Sequence, residues 1–325
     1  MAGLGFFLCF LGWMNLCDGT ETTGLFPGVF AYGDSVVDQG NNNGIITLAK
    51  ANFEPYGKDF AGGIPTGRFS NGKTPPDLIA EELNVKYAVP AFLDPNLTSG
   101  DLLTGVSFAS GGCGFDPMTS RLASAIPLST QLKFLKQYKR KAIAMVGSRR
   151  ADTIVNDSLH LVVVGTDDLV NTYFTLGALR LRYNVSEYTD YIASRASDFV
   201  RELHETGARR IALFGVPPVG CLPSQRTLAG GPERQCNDEY NEAARLLNSK
   251  LSNVVDSRAS SPATKTHDRG CCGTGLIEVT PLCNVYSETC GDDSEYVFWD
   301  SYHPTEMAYR IIVRQLLRRY VRRFF

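Results

Sequence analysis

The sequence predicts an α/β fold, a single domain around a mostly parallel sheet. Short apolar runs alternate with stretches whose apolar residues return every three or four positions, and no repeat or low-complexity linker divides the 325 residues. The strand candidates are Gly28 to Tyr32, Gly105 to Ala109, Ser158 to Val164 and Arg210 to Phe214. Each is followed by Gly-rich or polar residues, as expected for buried parallel strands whose C-terminal ends open into loops. Helical periodicity fills the intervals at Thr74 to Leu83, Leu128 to Val146, Tyr188 to Thr206 and Cys236 to Ser257. After Pro304, Ala308, Ile311, Ile312, Leu316 and Tyr320 share one side of a closing amphipathic helix with Arg residues opposite. One interval breaks the pattern. After Ser257 the chain runs through SSPATKTHDRG into Cys271 with no apolar strand, although a doubly wound sheet calls for one there.

Composition narrows the function class. With 32 Lys plus Arg against 34 Asp plus Glu, the net charge of -2 offers nothing to a polyanion, so nucleic acid is not an expected ligand. The apolar run Gly3 to Leu16 is short for a bilayer span and is followed by Asp18-Gly19-Thr20. Residues 1–19 read as a cleaved secretory signal, with a short membrane anchor as the alternative, and residues 20–325 as the domain. No later segment looks membrane-spanning, so no stable span is expected after signal cleavage. Of nine Cys, Cys9 and Cys17 fall in this leader. The remaining seven are odd in number, so at least one is free or paired elsewhere. No His or carboxylate companions stand at zinc-site spacing, so disulfides are favoured and neither metal nor cofactor is expected. Sequons at Asn96, Asn156 and Asn184 fit an extracellular compartment.

The chemistry concentrates in two places. The run Phe30-Ala31-Tyr32 stops at Gly33-Asp34-Ser35, which puts a serine at the carboxyl end of a strand, where open α/β sheets bind ligands. Alone, such a triplet is more readily a turn or a cap. Near the other end, Asp300-Ser301-Tyr302-His303 supplies a base whose intrinsic pKa lies near neutrality and a carboxylate to hold its second ring nitrogen. Alone, that pair is more readily a helix-start cap. His160 in a strand, His204 in a helical polar stretch and His267 in the shortened stretch have no carboxylate placed to orient them and read as structural. Cys113 has no activating neighbour in sequence and reads as a buried thiol or half of a disulfide.

Together these segments resemble the plant GDSL esterase/lipase family of the SGNH hydrolases. FAYGDSVVDQGNNN, GRFSNGKTPPDLIAEEL, GVSFASGGCGFD, VVVGTDDLVNTYF, FGVPPVGCLPSQR, CNDEYNEAARLLN and DSYHPTE recur in family order along nearly the whole chain after the leader. The resemblance implies a three-layer α/β/α sandwich with a mostly parallel central sheet, and hydrolysis of lipid or small acyl esters through an acyl-enzyme. Ser35 then matches the nucleophile, Asp300 and His303 the acid and base. The Ser35 and Gly112 N–H groups match oxyanion donors, with Gly111 as fallback. The cysteine-rich run Cys271, Cys272, Cys283 and Cys290 matches a bridge framework tying the His-bearing segment to the body. Two departures stand out. Asp167 occupies the position of the family's third oxyanion donor, an Asn, and an ionised carboxylate cannot donate. The family also carries a strand and a helix between the equivalents of Ser257 and Gly270, missing here, which would bare a sheet edge beside the base. Those departures keep open a catalytically silent secreted member, and resolution of the same acyl-enzyme by an alcohol instead of water keeps open an extracellular acyltransferase using the same triad.

Overall fold

Three of the four apolar runs become strands β1 (Val29–Gly33), β2 (Leu159–Val163) and β3 (Arg210–Leu213). They pair in parallel in the order β1-β2-β3, with Val29 opposite Leu159 and Leu159 opposite Arg210. The structure, a computed structural model, describes residues 26–252 and 266–321. The leader, residues 1–19, and residues 257–265 of the shortened stretch lie outside the described residues.

The fourth run, Gly105 to Ala109, was expected as a strand and differs. It lies parallel to β1, with the Ala31 N–H donating to the Val106 carbonyl at 3.2 Å and the Phe108 N–H to the Ala31 carbonyl at 2.8 Å. Only isolated bridges at Ser107 result, to Ala31 and to Ala91. Gly105 has φ +96°, outside extended geometry, and the Ser107 and Ala109 carbonyls both accept from the Asn41 side-chain amide. Those carbonyls lie on the edge away from β1, where the Phe92 N–H also donates to the Ser107 carbonyl at 2.9 Å, and the ladder to β1 is interrupted where the Gly33 N–H goes to Gln131 Oε1 at 2.9 Å instead.

Among the described residues no strand pairs with the outer edge of β3, where the sequence lacked an apolar run. The same stretch is not strand-free, however. Thr266–Gly270 forms β4 and pairs in parallel with β5 (Tyr296–Phe298) in a separate small sheet that leads directly to His303. Its sequence, THDRG, has no apolar periodicity, which is why inspection passes over it.

The described α-helices are, in chain order, α1 (Pro75–Glu82), α2 (Ser99–Leu103), α3 (Pro117–Leu122), α4 (Leu128–Val146), α5 (Ser148–Asp157), α6 (Val185–Thr206), α7 (Pro223–Ala229), α8 (Asp238–Ser252) and α9 (Glu306–Tyr320), and a π-helix spans Asp168–Thr175. Strand alternation decides which face each covers. Val29, Ala31, Leu159 and Leu161 pack with Leu78 and Ile79 of α1 and Tyr309 and Val313 of α9. Phe30, Tyr32 and Val162 face the other way, into the larger core filled by Leu135 and Tyr138 of α4, Ile192 and Phe199 of α6 and Leu247 of α8. The result is the expected three-layer α/β/α arrangement. Truncating a fully buried side chain such as Leu135 would cost about 2–5 kcal/mol. A third cluster, Tyr56, Phe69, Trp299, Cys271, Cys272 and Cys283, lies under the His-bearing loop.

Candidate active site

The position of Ser35 is set by a glycine that no other residue can replace without strain. Gly33 ends β1 with φ +131°, and a Cβ there would lie 1.7 Å from the Val163 carbonyl oxygen. The chain therefore leaves the sheet in a geometry closed to other residues. Gln131 of α4 takes up both backbone groups of Gly33, its Oε1 accepting from the N–H at 2.9 Å and its Nε2 donating to the carbonyl at 3.0 Å. The Asp34 N–H donates to the Val163 carbonyl at 3.0 Å. Asp34 itself is buried, and burial, then repulsion from Asp167, holds its carboxyl well above the usual range.

At the far end of the sequence, β5 runs into a turn closed by the Trp299 N–H donating to the His303 carbonyl at 2.7 Å. Asp300 Oδ1 accepts from the backbone N–H groups of Tyr302 and His303 at 2.7 and 2.6 Å. Its Oδ2 lies 2.8 Å from His303 Nδ1, and His303 Nε2 lies 2.8 Å from Ser35 Oγ. A carboxylate accepts only, so Nδ1 carries the ring proton of the neutral imidazole and Nε2 is left bare to accept from the Ser35 hydroxyl. The three residues predicted from opposite ends of the chain therefore meet in one line of hydrogen bonds. Phe69 packs on the His303 ring with centroids 5.1 Å apart and shields it on that side.

Gly112 and Gly111 separate clearly. The Gly111 N–H donates to Asp38 Oδ2 at 2.9 Å and is committed, whereas the Gly112 N–H has no partner among the described residues. Gly112 has φ +83°, and a Cβ there would lie 2.4 Å from the Ala123 Cβ. The loop after Ser35 does the positioning. Asp38 also accepts from the Gly40 and Asn41 N–H groups, and Asn42 Nδ2 donates to the Gly111 carbonyl at 2.9 Å. Burial pushes the Asp38 carboxyl up to about 6 against these donors.

Asp167 lies just after β2, and its Oδ1 accepts from Tyr302 Oη at 3.0 Å and Asn171 Nδ2 at 2.7 Å. Its Oδ2 is buried with no partner among the described residues. Burial pushes this carboxyl up to about 6, opposed by the Tyr302 hydrogen bond and the charge of His303. Asp168, next to it, is occupied structurally, accepting from the Phe115 and Asp116 N–H groups and the Thr119 hydroxyl.

The remaining candidates stay away from this line. His160 is buried between Tyr32 Oη at 3.2 Å and the Val155 carbonyl at 2.7 Å, and burial lowers its pKa to about 4, so it is neutral and satisfied. His204 and His267 are exposed on α6 and β4. Cys113 is free and buried, and its thiol is pushed far up by burial. The other six form Cys221–Cys236, Cys271–Cys290 and Cys272–Cys283. The last two close the cysteine-rich run on itself. Its tie to the His-bearing segment is made by backbone bonds, Cys271 N–H to Phe298 and Cys272 N–H to Trp299, at 3.0 and 2.8 Å. Among the described residues no group of His, Cys, Asp or Glu could hold a metal ion.

Sequence reasoning passed over Gln131, Asp38, Asn42, Tyr56 and Tyr302. Gln131 did carry a signal, as a polar residue between Leu128, Leu132 and Leu135 on the buried face of α4.

Comparison with known proteins shows the family. Residues 29–316 match the family described as GDSL-like Lipase/Acylhydrolase. The chain is 50% identical to the GDSL esterase/lipase EXL3 of Arabidopsis thaliana over 325 aligned positions, covering 92% of this chain and 89% of the relative. It is 45% identical to the GDSL esterase/lipase EXL2 of the same plant over 340 positions, covering 93% of this chain and 89% of the relative. Both alignments are longer than the part of this chain they cover, so each relative holds residues without a counterpart here, in keeping with the shortened stretch after Ser257. With residues 29–316 matching the family and half of the aligned positions identical to a relative covered to 89%, the chain belongs to the GDSL-like lipase/acylhydrolase family.

Proposed function

We propose that this chain hydrolyses carboxylic esters, of lipids or small acyl groups, through an acyl-enzyme on Ser35. The single observation that carries the reading is the unbroken line from Ser35 Oγ to His303 Nε2 and from His303 Nδ1 to Asp300 Oδ2, each step 2.8 Å. Ser35 Oγ attacks the ester carbonyl carbon while its proton passes to His303 Nε2. Asp300 holds the imidazolium in place and stays ionised. As the carbonyl re-forms, the bond to the alcohol oxygen breaks and His303 returns the proton to that oxygen. Water then repeats the sequence on the acyl-serine, releasing the carboxylic acid and restoring Ser35.

The oxyanion is received by the Ser35 and Gly112 N–H groups and by Asp167 in its protonated form. Both donors to Asp167 sit on Oδ1, so a proton on the carboxyl takes Oδ2, the atom left without a partner. That makes the Asp an Asn-like donor wherever it is protonated. Hydrolysis is favoured over a silent fold because the relay is complete, and over acyl transfer because the relatives are esterase/lipases.

We also infer secretion. Three disulfides fit an oxidising compartment, and Asn96 and Asn184 of the sequons are exposed. Among the described residues no helix is long and apolar enough to cross a membrane. The test is hydrolysis of a p-nitrophenyl butyrate solution by the secreted protein beside a folded Ser35→Ala variant, with fluorophosphonate labelling in parallel. Turnover and labelling that both vanish in Ser35→Ala are expected; equal turnover in the two proteins would overturn the assignment.

A further inference from the structure

The aspartate of the relay accepts from a side chain that lies between two of the motif runs, FAYGDSVVDQGNNN and GRFSNGKTPPDLIAEEL, and belongs to neither. Tyr56 Oη donates to Asp300 Oδ2 at 2.8 Å, the same oxygen that receives His303 Nδ1. Tyr56 Oη in turn accepts from the Thr280 N–H at 2.8 Å. Tyr56 is fully buried, and its ring is fixed edge-on against Phe53, Phe69 and Trp299 with centroids 5.6, 6.3 and 6.5 Å away. Thr280 begins the turn Thr280–Leu282, which ends against Cys283, half of the Cys272–Cys283 bridge. A continuous chain therefore runs from the disulfide-clamped turn through Tyr56 and Asp300 to His303 and Ser35.

We propose that Tyr56 is a positioning residue for the hydrolytic reaction, fixing the Asp300 carboxylate and tying its orientation to the disulfide-clamped turn at Thr280. The inference rests on the assignment of Ser35, His303 and Asp300 above. Two backbone N–H groups of its own turn hold Oδ1 and the imidazole holds Oδ2, so Tyr56 is the one donor that reaches the Asp300 side chain from outside that turn, setting Oδ2 from a second direction. The hydroxyl stays protonated, because burial and the Asp300 charge both raise its pKa. It therefore donates at all working pH and disperses part of the carboxylate's negative charge. The other titratable groups facing this pair are Tyr309 of α9, which feels the Asp300 charge, and Asp167, which faces His303. Lys58 lies over the Trp299 ring at 5.3 Å but is paired with Asp293 at 2.6 Å.

Removing only the hydroxyl, with Tyr56→Phe, leaves the ring packing in place and concentrates charge on Asp300, which favours the imidazolium. The experiment measures kcat and KM of p-nitrophenyl butyrate hydrolysis from pH 5 to 8, and the rate of fluorophosphonate labelling of Ser35. It uses the wild type, Tyr56→Phe, Asp300→Asn and the double variant, each checked for folding by circular dichroism. In Tyr56→Phe, kcat should fall about tenfold with KM unchanged, and the acid limb should move to higher pH. In the Asp300→Asn background, adding Tyr56→Phe should leave the labelling rate unchanged, since the charge it acts on is gone. An acid limb that stays or moves down, or an equal loss in both backgrounds, would overturn the positioning role. Because wild-type labelling at Ser35 is scored in the same series, failure of the relay itself is seen separately from failure of Tyr56.

Discussion

Replacing Asp167 by Asn tests the least ordinary part of this site. The substitution is close to isosteric: Tyr302 Oη and Asn171 Nδ2 can keep donating to the retained oxygen, while an NH2 replaces the partnerless Oδ2. With a pKa of about 6, Asp167 is half protonated at pH 6, about one-eleventh protonated at pH 7 and about one-hundredth at pH 8. If the protonated form supplies an oxyanion donor worth about 100-fold in rate, the variant should outrun the wild type by about 2-fold at pH 6, 10-fold at pH 7 and 50-fold at pH 8. The comparison belongs above pH 6, because Asp167 also faces His303 and its loss shifts the acid limb. The assay is kcat/KM for p-nitrophenyl butyrate at several pH values, with Ser35→Ala subtracted as background. A variant-to-wild-type ratio that stays flat from pH 6 to pH 8 would refute the protonated-donor argument.

The same substitution predicts a stability change. A carboxyl whose pKa is raised on folding binds more protons in the folded state, so its penalty grows as pH rises from about 4 to about 6 and is complete at pH 7. Asp167→Asn should therefore stabilise the protein by roughly 3 kcal/mol at pH 7 and by little at pH 4, read as the difference in Tm. Gly33→Ala should abolish the folded state or cost more than about 4 kcal/mol, given a Cβ 1.7 Å from the Val163 oxygen; a variant melting like the wild type would show that the turn relaxes. Cys113 should resist a thiol reagent in the native protein and react only after unfolding in denaturant without reductant, and rapid native labelling would contradict its burial.

Much of the fold was legible because parallel strands buried on both faces must be short and apolar. β1, β2 and β3 lie within a residue of the runs that announced them, and α4 spans Leu128–Val146 as its periodicity indicates. The misreadings share one cause, partners that sequence cannot show. Gly105 to Ala109 looks like its neighbours, but its ladder to β1 is interrupted where Gln131 takes the Gly33 N–H, and THDRG becomes a strand only because Tyr296–Phe298 is there to pair with it. The bridges could be expected in the cysteine-rich run, yet which cysteines pair depends on how that run folds back on itself.

By itself, the sequence supplied the candidates for the chemistry: a serine ending an apolar strand, an Asp-x-x-His before the last helix, an Asp at the motif position expected to carry an Asn, and an odd cysteine. Those are properties of residue type and order, which local backbone preference and hydrophobic periodicity expose directly. Only the tertiary structure decided that Ser35 and His303, 268 positions apart, stand 2.8 Å from each other. It also decided that, among the described residues, Gly112 and not Gly111 has its N–H free and Asp167 keeps one oxygen without a partner, and that Tyr56 donates to Asp300. Hydrogen bonds and burial depend on distances between segments far apart in the chain, and those distances exist only once the sheet and its two helical layers have packed.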